Sequence, residues 1–159
     1  MNPGPRIALV GCGAWGRLIL RDLLALGART VVVARGESAD AARAAGAAVV
    51  VEDVTALPPV DGFVVATPTT THADVVEALL PLGAPIYCEK PLCDDAGRAR
   101  RLALAGEGRL FVMEKWRYHR GVEALARIAR SGELGPVVGL RTTRLSYGRP
   151  TPTPTASGP

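Results

Sequence analysis

The glycines of the stretch RIALVGCGAWG (6–16) stand at Gly11, Gly13 and Gly16, directly after an apolar run and at the start of a helical pattern. That spacing suits a phosphate cradle. The first glycine permits a tight turn, the second lets backbone approach a pyrophosphate, and the third lets helix pack close on strand. Exposed N–H groups and the positive end of the helix then face the anion, which places Ala14 and Trp15 beside it with the glycines. Nineteen residues after Gly16, where an acidic residue would hold the ribose hydroxyls of NAD, the sequence has Arg35. A guanidinium pairs bidentately with phosphate, and Ser38 adds a hydroxyl nearby, so the reading favours NADP over NAD. The alternative is an exposed Arg35 with Glu37 on the ribose. Two further segments carry chemistry-bearing side chains, ATPTTTH (66–72) and CEKPL (88–92). Each follows an apolar run and so falls at the ligand-binding end of a parallel sheet.

The elements that must position these residues are legible as alternation. Apolar runs at 7–10, 30–34, 48–51, 62–66, 85–88 and 109–113 are separated by helical patterns near 14–26, 38–46, 71–82 and 94–105. Ser38 is the expected N-cap of the second helix. Continuous apolar strands between helices predict a parallel sheet covered on both faces, an α/β doubly wound Rossmann domain over residues 1–118. A polar helix near 120–131 and a strand at 136–147 then predict the start of a second, α+β domain (119–148). The Pro/Thr-rich end (149–159) reads as a disordered tail.

Composition narrows the function classes. The chain has 159 residues, 48% hydrophobic and 4% aromatic, with a net charge of +4. The basic residues are scattered and lack interleaved aromatics, which argues against a nucleic-acid surface. No run is long enough for a membrane span. Cys12, Cys88 and Cys93 show no metal-ligand spacing and read as reduced thiols; with no signal peptide visible, a cytoplasmic location is expected and no metal.

Taken together, GCGAWG (11–16), ATPTTTHADV (66–75), EKPL (89–92) and SGELGPVVGLR (131–141) resemble the glucose–fructose oxidoreductase, inositol dehydrogenase and rhizopine-catabolism family (Gfo/Idh/MocA). The resemblance implies an NAD(P)-dependent oxidoreductase acting on a sugar, cyclitol or related polyol. It implies that Lys90 lies beside the nicotinamide and the substrate hydroxyl as the catalytic residue. Thr67, Pro68, His72, Glu89 and Pro91 would line the cofactor, and Arg117, in KWRYHR (115–120), would stand near the substrate. Members of this family are more than twice this length, with a large antiparallel second domain that commonly carries an Asp-x-x-x-His pair. Neither histidine here fits that pair: four residues before His72 is Pro68, and before His119 is Lys115. The expectation is therefore a cofactor domain of oxidoreductase lineage, incomplete for turnover alone, which works as an oligomer or with a completing partner chain. Alternatively it is a non-catalytic NADP(H)-binding module.

Overall fold

The computed structural model describes residues 4–143. The sheet is built from β1 (Arg6–Val10), β2 (Arg29–Val33), β3 (Val49–Val51), β4 (Gly62–Val65), β5 (Ile86–Cys88) and β6 (Leu110–Val112). Every pairing is parallel, and the spatial order is β3-β2-β1-β4-β5-β6. The helices between them are α1 (Ala14–Ala25), α2 (Gly36–Ala44), α3 (Thr69–Leu79) and α4 (Ala96–Ala105). Strand order reverses between β1 and β4, so the crevice at their carboxyl ends is the topological switch point.

Two apolar layers sandwich the sheet because successive strand residues face opposite sides. Ala8 and Val10 of β1 join Val65, Val76, Leu79 and Ile86 in one layer. Leu9, between them in sequence, joins Leu20, Val32, Ala39 and Ala42 in the other. Burial on both faces explains why these strands read as unbroken apolar runs. Small residues dominate the α2 contact, and Ala42 is fully buried there.

Hydrogen bonds continue past the strand ends and anchor the loops. The Gly11 N–H donates to the Val33 carbonyl, Ala66 to Val10 and Glu89 to Val65, at 2.8–2.9 Å. The three chemistry-bearing segments are therefore held to the neighbouring strands and not merely tethered at their own.

The described chain divides into two compact units between Trp116 and Arg117. The second contains helix α5 (Arg120–Ser131), with His119 as its N-cap. The strand expected at 136–147 does not form over 136–143, and its last four residues, with the tail at 149–159, lie outside the described residues. Apolar content alone does not make a strand, which forms only where a neighbouring strand pairs with it. No helix among the described residues is long and apolar enough to cross a membrane.

Candidate functional site

The turn after β1 carries glycines of two kinds. Gly11 has φ +93°, and a Cβ there would come within 2.9 Å of the Ala66 carbonyl group. At Gly16 a Cβ would sit 2.3 Å from the Gly11 carbonyl oxygen. Both are glycine because the protein's own backbone fills the space. Gly13 is different: its φ is −70°, and nothing lies within 4 Å of the position a Cβ would take. Packing gives no reason for glycine there, whereas a ligand lying against the backbone does.

Gly13 is also the N-cap of α1, and it supplies no side-chain oxygen; the first turn of that helix contains no acidic residue. The leading N–H groups of α1 thus keep their hydrogen-bonding capacity and their positive potential for an anion. Across the crevice the Thr67 hydroxyl oxygen is buried without a hydrogen-bond partner among the described residues. A buried hydroxyl left unpaired is costly unless something else meets it. The bare helix end, the open space at Gly13 and the orphaned Thr67 hydroxyl fit the pyrophosphate portion of a dinucleotide.

Two adjoining depressions run along this edge. One, of 470 Å³, is lined by the glycine turn from Gly11 to Trp15 with Ala34, Arg35, Ser38, Ala66, Thr67 and Pro68. The other, of 410 Å³, is lined by residues that include Val33, Arg35, Glu52, Asp53, Val54, Thr67 and Val75. Gly11, Ala34, Arg35 and Thr67 border both, so the pair forms a continuous cleft over the ends of β1, β2 and β4. Its size suits an extended small ligand.

The remaining expected residues stand differently with respect to this cleft, which Glu89, Lys90 and Pro91 do not border. Ser38 lines it, but not as a cap: α2 begins two residues earlier, with Arg35 at the N-cap and Ser38 in the first turn. Glu37 is exposed on the same turn. Arg35 reaches sideways from the end of β2 to the end of β3. Its Nε donates to the Glu52 carbonyl at 3.0 Å and its Nη2 to the Asp53 carboxylate at 3.1 Å. That carboxylate also accepts from the Thr55 backbone N–H and hydroxyl, which with Arg35 hold its pKa below the usual carboxylate range.

His72 does not line the cleft. It is 1% exposed, with Nε2 2.8 Å from the Thr67 carbonyl oxygen and Nδ1 2.8 Å from that of Pro91. Its place one turn into α3, aimed inward, makes it a strut between the loops after β4 and β5. Glu89 is a second brace: one oxygen accepts from the Trp15 indole N–H and the other from the Lys90 backbone N–H at 2.8 Å. The Lys90–Pro91 peptide is cis. Lys90 stands exposed at the carboxyl end of β5, its ammonium without a partner among the described residues. Arg117 is exposed on the 3-10 turn Lys115–Tyr118, at the start of the second compact unit.

The two buried thiols are poorly suited to act as thiolates. Burial pushes the Cys12 thiol up, and the Cys88 thiol goes up to about 12 through burial, with neighbouring Glu89 and Cys93 adding to it. Such thiols carry almost no thiolate near neutrality. No cluster of potential metal ligands occurs among the described residues.

Sequence reading missed Asp53. The segment DVTALPPVD offered no periodicity, and the residue gains meaning only because β3 pairs with β2 and carries it to Arg35.

Fold and cleft together define a Rossmann-type dinucleotide-binding domain. Residues 5–113 match the Gfo/Idh/MocA family, described as an oxidoreductase family with an NAD-binding Rossmann fold, and the chain belongs to that family. It is 34% identical over 143 residues to a myo-inositol dehydrogenase of Streptomyces leeuwenhoekii, covering 85% of this chain and 44% of the relative. It is 31% identical over 140 residues to an inositol 2-dehydrogenase of Rhizobium meliloti, covering 83% and 42%. Among solved structures, a myo-inositol dehydrogenase from Lactobacillus casei in complex with NAD(H) and myo-inositol aligns with a TM-score of 0.76. That alignment has 26% identity and covers 83% of this chain and 43% of the other. The chain thus spans less than half the length of these relatives.

Proposed function

We propose that this chain is the cofactor-holding portion of an oxidoreductase that moves hydride between nicotinamide and a hydroxyl or carbonyl carbon of a sugar, cyclitol or related polyol. The observation that carries the cofactor part is the open face of Gly13, bare of any protein atom, in a cleft whose lining also includes Thr67 with its unpaired hydroxyl. The substrate class is taken from the inositol dehydrogenases to which the chain is similar. The N–H groups at the start of α1 would hold the pyrophosphate, and Arg35 with Ser38 would take the ribose end, with NADP preferred over NAD.

When bound, the nicotinamide supplies the hydride chemistry. The chain's own contribution is orientation and charge. Glu89, held to Trp15 and to the backbone of Lys90, fixes the loop that presents the lysine. The Lys90 ammonium would stabilise negative charge on the reacting oxygen and pass its proton to it. Arg117 is the proposed substrate-side cation. We further propose that turnover requires an oligomer or a completing partner chain.

The test is a titration of the chain with NADPH and NADH, followed by nicotinamide fluorescence. The expected result is saturable binding of both, tighter for NADPH, with Arg35→Asp weakening NADPH much more than NADH. Equal losses for the two would remove Arg35 from the ribose end, and no binding by folded protein would refute the cofactor reading.

A further inference from the structure

The guanidinium that this reading assigns to the cofactor is not idle. Arg35 is 70% exposed in its side chain yet is tied at Nε to the Glu52 carbonyl and at Nη2 to the Asp53 carboxylate. Both carboxylate and guanidinium border the same 410 Å³ depression. Asp53 is itself fixed, because its other oxygen accepts from the Thr55 N–H at 3.0 Å and the Thr55 hydroxyl at 2.9 Å.

We infer that Asp53 is a specificity-determining residue, whose carboxylate competes with a ribose 2′-phosphate for Arg35 and offers an acceptor to a free ribose hydroxyl instead. The inference rests on the dinucleotide reading above. Its chemistry follows from the donors and charges present. Guanidinium has five N–H donors, of which Glu52 and Asp53 engage two. A 2′-phosphate meets the free donors but also a fixed negative charge, which repels it and shares its cation. A ribose diol carries no charge to be repelled, and its hydroxyl is a donor that a carboxylate accepts well. Asp53 therefore holds the NADP preference of Arg35 down and keeps the cleft open to NAD.

The test compares NADPH and NADH affinities for the full chain, its Asp53→Asn variant and its Thr55→Val variant. Asn keeps an oxygen for the Thr55 N–H, as an N-cap residue does, and removes only the charge. The NADPH-to-NADH affinity ratio is expected to rise about tenfold in Asp53→Asn, the scale of one like charge removed at short range near a surface. Thr55→Val keeps the charge and loses the hydroxyl tie, so its ratio stays within about twofold of wild type. Should Asp53→Asn lose its far-UV signal, Asp53→Ser provides the same neutralisation with a capping oxygen. An unchanged ratio in the neutral variant, with both dinucleotides still bound by wild type, overturns the inference alone. Equal weakening of both cofactors overturns it too, because Asp53 then only holds its loop. No binding of either by the folded wild-type chain overturns the cofactor reading, and this inference falls with it.

Discussion

Gly13 and Gly16 lie three residues apart in one turn, and alanine at each is expected to fail in opposite ways. At Gly13 a methyl group meets nothing of the protein, and the backbone is in a region open to any residue. The cost to folding is that of a poorer N-cap, about 0.5–1 kcal/mol. That lowers Tm by roughly 2–6 °C in a unit of this size. The methyl instead projects into the space assigned to the pyrophosphate, and NADPH affinity should fall at least about 100-fold, or about 2.7 kcal/mol. At Gly16 the methyl would sit 2.3 Å from the carbonyl oxygen of Gly11, a residue whose own N–H is bonded to the Val33 carbonyl. Overpacking of this kind costs about 1–3 kcal/mol or more, so Gly16→Ala should melt well below wild type before any question of binding arises. The assays are thermal unfolding by circular dichroism and nicotinamide fluorescence titration on both variants. Wild-type affinity in Gly13→Ala, or unfolding of that variant comparable to Gly16→Ala, refutes the division of the turn into one ligand glycine and two packing glycines.

Other outcomes follow from the same geometry. His72→Leu leaves at least one carbonyl, of Thr67 or Pro91, without its donor; it should cost about 1–3 kcal/mol and lower the urea midpoint without changing the slope. A loss within about 0.5 kcal/mol would mean that water replaces the ring. The hydrogen bond from Arg98, which also reaches Asp74, holds the Glu77 pKa below the usual range and joins α3 to α4. A depressed carboxylate contributes stability above its unfolded pKa and loses it as pH falls through the lower folded value. Urea midpoints measured from about pH 6 to about pH 3 should therefore drop more steeply for wild type than for Arg98→Met, and parallel curves would deny the tie any role. Lys90→Ala should leave both dinucleotide affinities within a few-fold. In whatever assembly turns over, it should lower kcat by about 10²–10⁴, and an unaltered kcat would remove Lys90 from the chemistry.

Much of this arrangement is legible in the residues alone, for a physical reason. Strands buried on both faces must be apolar throughout, so runs such as TVVVA and GFVVA announce themselves, and helices between them fix the parallel topology. The glycine turn is equally readable, since backbone strain at Gly11 and close approach at Gly16 leave no other residue type. What could not be read depends on which strands become neighbours. Asp53 matters because β3 lies beside β2. His72 is the right residue in the right segment, yet facing inward on α3 turns it from a cofactor contact into a strut. Ser38 looked like a cap because its type suits one, but α2 starts at Gly36. At 136–143 apolar content suggested a strand, and apolar content alone does not supply a pairing edge.

The strand order has a consequence for how the molecule comes into being. β1 pairs on one side with β2, whose register begins 23 residues away at Arg6 and Arg29, and on the other with β4, where Ile7 meets Gly62. A nascent chain can complete β1, β2 and β3 while the far edge of β1 still lacks its neighbour. Such an edge is a template for wrong pairing until the second half arrives. The crevice at the switch point does not exist before that moment, so dinucleotide can recognise only chains whose halves have already met. Ligand captured there shifts the population toward the joined form by mass action. In a cell, the concentration of the dinucleotide would then govern how much of the chain survives as folded protein, as well as how much of it is occupied.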